Sequence, residues 1–132
     1  MGFEPGGGLD VRLAPTARAP AEARGLVDRL APPLRPDEVL ALRLLVSELV
    51  TNSVRHAGLD PDEWIDLHVD VAPHAVRVTV TDPGGGFQPP TRPSHPTDPS
   101  GWGLTLVQRM ADRWGISSDG RTQVWFELHR AS

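Results

Sequence analysis

Ser47-Glu48-Leu49-Val50-Thr51-Asn52-Ser53-Val54-Arg55-His56-Ala57 is the stretch on which the reading of this chain turns. It sets a carboxylate, a carboxamide and an imidazole four residues apart, inside an apolar pattern that includes Leu42, Leu45, Val46 and Leu49. An α-helix advances roughly 100° per residue, so each four-residue step turns only about 40° and Glu48, Asn52 and His56 form one stripe. Carboxylate and amide oxygens on one stripe suit a hard, hydrated cation such as Mg²⁺, and such a cation implies a phosphate ligand. The bland alternative is a solvated helix face. Against it, the stripe borders a strongly apolar face, and asparagine is a poor helix former.

Working outward, Pro36-Asp37-Glu38 opens this helix with proline at an early position and acids where the helix dipole favours them. Gly58 is the expected C-cap. Upstream, Leu9-Asp10-Val11-Arg12-Leu13 alternates as a short edge strand does, after a Gly-rich segment, residues 1–8, expected to be disordered. A first helix is expected to open at Pro15-Thr16, to carry Ala19, Ala23, Leu26, Val27 and Leu30 on one face, and to end at Pro32-Pro33. Downstream, Trp64–Val71 and Val76–Thr81 alternate, and Ala72–Ala75 joins them as an antiparallel hairpin. Residues 88–100 hold five prolines and read as a long loop. A third helix is expected from Gly101-Trp102-Gly103-Leu104 through Leu106, Val107, Met110 and Ala111, broken by Gly115. Strands at Ile116–Ser118 and Gln123–Leu128 follow. This order predicts an α+β fold of two layers, a mostly antiparallel sheet with helices on one face.

Composition narrows the function. The chain has 132 residues, enough for one domain with its own core. It has no cysteine, which excludes disulfide frameworks and thiolate zinc sites. A net charge of −4 argues against general nucleic-acid binding. No apolar run reaches the ~20 residues of a membrane span, and the first residues lack the basic and apolar regions of a signal peptide, so a cytoplasmic location is expected. All 13 basic residues are arginines. Without lysine, the P-loop NTPases and the ordinary protein-kinase fold are excluded, because both contact phosphate through lysine.

Two further motifs could carry chemistry. Asp82 ends a β-branched strand before Gly84 and Gly86. It is either a turn residue or a carboxylate at the floor of a cleft, with glycines that let backbone approach a ligand. Gly101 and Gly103 at a helix start expose backbone N–H groups to an anion, although one Gly-x-Gly is weak evidence, and the preceding loop could act as a lid. His68, His74, His95 and His129 show no metal spacing. Trp64, Trp102, Trp114 and Trp125 are expected to pack the core or its rim.

Together these motifs resemble the GHKL ATPase superfamily, whose ATP site is the Bergerat fold. The order matches: Glu-x-x-x-Asn-x-x-x-His-Ala on a helix, Asp-x-Gly-x-Gly after a strand, a loop, then Gly-x-Gly-Leu opening a helix. Gly120-Arg121-Thr122 resembles the family's Gly-x-Thr. The resemblance covers residues 9–130 as one histidine-kinase-like ATPase domain. The short length and the Ser47–Ala57 stretch resemble the RsbW-like anti-sigma factor serine/threonine kinases.

The resemblance implies roles. Asn52 would ligate Mg²⁺ at the ATP phosphates, and Glu48 would be the general base. Asp82 would recognise the adenine amino group, with Gly84 and Gly86 beside adenine and ribose. Gly101, Gly103 and Leu104 would close over the phosphates, and Thr122 would support the adenine pocket. His56 would orient a lid or phosphate contact, or cap its helix. With no lysine, Arg55 could add positive charge. The implied function is an ATP-dependent protein kinase that binds a sigma factor and phosphorylates a serine of an anti-sigma antagonist. The alternative is an ATP-sensing regulatory module with little catalysis. The family pattern is departed from in the loop, stiffened by Pro89, Pro90, Pro93, Pro96 and Pro99. The Leu9–Leu13 edge could pair with a second copy to form a homodimer.

Overall fold

The computed structural model describes residues 8–30, 34–56, 59–83, 104–118 and 120–130. Along the chain run β1 (Leu9–Leu13), α1 (Ala19–Asp28), α2 (Pro36–His56), β2 (Ile65–Val71), β3 (Ala75–Asp82), α3 (Thr105–Met110), β4 (Arg113–Ser118) and β5 (Thr122–His129). The strands form one antiparallel sheet in the order β1-β2-β3-β5-β4. The expected α+β architecture is therefore the observed one.

Strand alternation decides which face meets the helices. Leu9, Val11 and Leu13 of β1, Ile65, Leu67, Val69 and Val71 of β2, and Val76, Val78 and Val80 of β3 are buried, as are Val124 and Phe126 of β5. The α2 residues Leu42, Leu45, Val46, Leu49 and Val50 and the α1 residues Ala19, Ala23 and Val27 belong to the same core. A period of two on the strands and of 3.6 on the helices thus yields one dry layer. Residues between the buried ones, such as Arg12, Asp66, His68 and Arg77, lie on the opposite face of the sheet.

Helix α2 carries the site, and its start is fixed chemically. Pro36 is its first residue, and Glu38 Oε1 accepts the Arg35 backbone amide at 2.9 Å, one half of a capping box. The same carboxylate is clamped from the far end of the chain. Arg130 Nε donates to Glu38 Oε2 at 2.9 Å and Nη2 to Oε1 at 3.1 Å, while Nη1 donates to the Ala72 carbonyl at 3.0 Å. The clamp ties the first turn of α2 to the end of β5 and to the β2–β3 turn.

Three expectations are corrected. Helix α1 begins at Ala19 rather than at Pro15-Thr16. Pro20 has no N–H to bond the Thr16 carbonyl, so the ladder cannot extend back through it, and Thr16 instead accepts a turn bond from Ala19. That helix also stops at Asp28, where Arg29 and Leu30 make tighter i→i−3 bonds to Leu26 and Val27. Gly115 does not break α3; the helix has already ended at Met110, and Gly115 lies within β4. Its cross-strand partner is Trp125, and a Cβ at Gly115 would lie 2.7 Å from the indole Nε1. The glycine makes room for a tryptophan. Trp64 and Trp114 are 48% and 37% exposed, positions at the rim of the core, while Trp125 stacks on the outer face under Arg77, 4.1 Å from its ring centre. Among the described residues the aromatic in the core is Phe126. The segment 1–8 expected to be disordered, Trp102, the expected Pro32-Pro33 stop, the expected Gly58 cap and the proline-rich loop lie outside the described residues, apart from Gly8.

Candidate functional site

Helix α2, the end of β3 and the start of β5 bring the site together. Among the described residues, four polar ones are buried in this otherwise apolar layer: Asn52, Ser53, Asp82 and Thr122. They are the polar exceptions among the 24 described hydrophobic side chains of the core, and each belongs to this one region. Asp82 and Thr122 face each other across β3 and β5. Ser53 Oγ donates to Asp82 Oδ2 at 2.9 Å, joining helix to sheet through a buried bond.

Glu48 stands one turn earlier on α2. The backbone amides of Leu106 and Val107 donate to its Oε2 at 3.1 and 3.2 Å, so the carboxylate holds the first turn of α3 from outside. Burial pushes the Glu48 carboxyl above its ordinary range, and the two amide bonds pull partly against that shift. A half-buried carboxylate with raised proton affinity is the electrostatic profile of a base.

Asn52 lies between Glu48 and the Ser53–Asp82 pair. Its Oδ1 is buried and has no hydrogen-bond partner among the described residues. An orphaned buried acceptor costs about 1–3 kcal/mol. It is an oxygen suited to a hard cation, so Asn52 would contribute one ligand to a bound Mg²⁺. No group of three His, Asp or Glu side chains that could hold a metal occurs among the described residues.

A groove of about 350 Å³ runs along these residues, lined by Leu44, Ser47, Glu48, Asn52, Arg55 and Leu106. Arg55 is exposed at its rim. A larger depression, about 1130 Å³, is lined by Glu22 and Leu26 of α1 and by Arg12, Asp66, His68 and Thr81 of the sheet, and includes none of the expected site residues.

Of the expected site residues, Glu48, Asn52, Asp82 and Thr122 converge. Leu104 is buried at the mouth of α3, where its carbonyl accepts the Gln108 amide at 2.9 Å. His56 is the last residue of α2; its side chain lies outside what the structure describes. Gly84, Gly86, Gly101 and Gly103 also lie outside the described residues. Ser53 was not singled out from sequence. It continues the apolar stripe of Leu42, Val46, Leu49 and Val50, and a serine on that stripe was the available signal. The Leu106 and Val107 amides had no signal, because every residue type but proline supplies the same N–H.

Comparisons with known proteins define the family of the chain. Residues 13–128 match the histidine kinase-like ATPase domain. The chain belongs to that family of ATPase domains, in the RsbW-like part of the GHKL group. Among curated proteins it is 32% identical over 90 residues to the anti-sigma F factor of Anoxybacillus flavithermus (strain DSM 21510 / WK1), covering 62% of each chain. It is 30% identical over 105 residues to the anti-sigma F factor of Geobacillus kaustophilus (strain HTA426), covering 72% of each. Among solved structures, the RsbU and RsbW domains of Rv1364c from Mycobacterium tuberculosis share the fold, with a TM-score of 0.71 at 20% identity. That likeness covers 95% of this chain and 33% of the other. No helix among the described residues is long and apolar enough to cross a membrane.

Proposed function

We propose that this chain is an anti-sigma regulator of the cytoplasm that binds ATP and transfers its γ-phosphoryl group to a serine of an antagonist protein, releasing a bound sigma factor. The carrying observation is the groove that puts the Glu48 carboxylate beside the orphaned Asn52 Oδ1. The anti-sigma F factor relatives supply the partner classes.

In this reading Asp82 accepts the adenine amino group, and Thr122 faces it across the sheet. Gly84 and Gly86 would flank adenine and ribose, Gly101, Gly103 and Leu104 would enclose the phosphates, and His56 would orient a lid or phosphate contact or cap its helix. Asn52 Oδ1 would hold Mg²⁺, which when bound neutralises phosphate charge. Arg55 at the groove rim adds the positive charge that lysine supplies in other folds. The partner's serine oxygen forms a bond to the γ-phosphorus as the bond to the β–γ bridging oxygen breaks. ADP leaves with that electron pair, and Glu48 takes the serine proton. Little covalent chemistry is asked of the protein, so positioning and electrostatics suffice.

Labelled ATP, the protein and a cognate antagonist should yield a phosphorylated antagonist. No transfer to an antagonist that demonstrably binds would overturn the kinase assignment. One observation favours a second reading, an ATP-sensing module with little turnover: the Leu106 and Val107 amides engage Glu48 Oε2 in a contact that holds α3. Glu48→Gln separates the two. Regulation that survives without phosphoryl transfer supports the sensing module.

A further inference from the structure

The geometry points to Ser53 as the positioning residue that sets the orientation of the Asp82 carboxylate, and with it the preference for a 6-aminopurine. The inference rests on the reading of Asp82 as the nucleobase acceptor and extends it to a residue outside the expected site.

Ser53 lies where α2 is otherwise apolar. Relative exposures of 6% for Ser53 and 3% for Asp82 leave essentially no solvent to satisfy either group. Burying a hydroxyl is unfavourable unless it is bonded, and alanine would pack the stripe with better helix propensity. What serine adds is the 2.9 Å bond to Asp82 Oδ2.

The bond bears on recognition because of aspartate geometry. The terminal torsion of an aspartate joins an sp³ to an sp² carbon, so its wells are broad and the carboxylate plane is loosely set. An exocyclic amino group lies in the plane of its ring and needs an oxygen placed in that plane. A donor fixed on α2 pins one oxygen and so defines where the other lies before ligand arrives. The serine takes one of roughly four acceptor positions on the carboxylate. Because α2 also carries Asn52 and Glu48, the same helix then sets both the base-reading and the phosphate-reading ends of the site.

The test compares two nucleotides on two proteins. ATP carries the 6-amino group; purine riboside triphosphate has hydrogen in its place and gives Asp82 nothing to accept. Equilibrium binding of both, with Mg²⁺, is measured on wild type, Ser53→Ala and Ser53→Thr, with thermal melts confirming the fold. Wild type should prefer ATP. Ser53→Ala should lose about tenfold in ATP affinity, the size of one charge-assisted bond, and less than twofold for purine riboside triphosphate. Ser53→Thr keeps the hydroxyl and should recover most of the preference. Equal losses for both nucleotides in Ser53→Ala would show a merely structural serine and overturn the inference alone, as would no loss at all. A wild type that binds both nucleotides equally would overturn the reading of Asp82, and this inference with it.

Discussion

Replacing Asn52 by leucine tests whether the site is built for a ligand at the expense of the fold. The amide oxygen is buried and unpartnered among the described residues, on a residue only 7% exposed. Removing such an acceptor relieves a cost of about 1–3 kcal/mol. Leucine is also a better helix former than asparagine, by a few tenths of a kcal/mol. Its branched end has nearly the same outline, and the 350 Å³ groove beside it accommodates the larger methyl groups. A net gain of about 1.5 kcal/mol follows, which for a domain of this size is a rise of about 5 °C in Tm. Urea unfolding followed by tryptophan fluorescence gives the free energy. The second arm adds Mg·ATP, which at a hundredfold excess over Kd should stabilise wild type by about 2.7 kcal/mol and Asn52→Leu hardly at all. A variant less stable than wild type by more than 0.5 kcal/mol would refute the orphaned-acceptor argument. One stabilised by Mg·ATP as strongly as wild type would refute the placement of the cation.

Three other perturbations have defined signs. Glu48→Gln should cut phosphoryl transfer about 10²- to 10⁴-fold, measured as initial rate on the antagonist. The folded pKa of Glu48 is raised, so its favourable contribution is complete below the unfolded value near 4.3 and is lost as pH rises through the folded value. The glutamine variant should therefore match or exceed wild-type stability at pH 7 and lose that advantage towards pH 4; a deficit at pH 7 contradicts the assignment. Arg130→Met removes both bonds to Glu38, whose side chain is 10% exposed, and should cost about 2–3 kcal/mol in urea unfolding. Arg130 lowers the Glu38 pKa, so the pair stabilises above the unfolded value near 4.3 and fades as pH falls through the folded one. Wild type should show that acid loss, and the variant should keep only the smaller part that Arg35 supports. Gly115→Ala drives a methyl into the Trp125 indole and should cost about 1–2 kcal/mol while leaving nucleotide affinity unchanged; an unaltered melting curve would show that the indole shifts freely.

Much of the architecture was legible because burial and periodicity coincide. The alternation at Leu9–Leu13 gave β1 to the residue, and the long apolar stripe of α2 gave the helix that carries Glu48 and Asn52. The site was legible where side-chain chemistry is unusual for its position, as with an asparagine inside a helix or an aspartate at a strand end. Reading failed where meaning depends on a distant neighbour. Gly115 looks like a breaker until Trp125 is set opposite it, and Ser53 looks like an ordinary polar residue until Asp82 meets it. Pro20 limits α1 through a missing N–H that the amphipathic pattern conceals.

The Glu38–Arg130 clamp joins residues 92 positions apart. Closing so long a loop early would be entropically unfavourable, whereas α1 and α2 meet through a short connection. The clamp therefore belongs to the late side of the folding barrier. Interactions absent from the transition state leave the folding rate almost unchanged and act on the unfolding rate. Arg130 thus governs how long the native molecule persists once formed, and in a chevron its loss should appear in the unfolding limb.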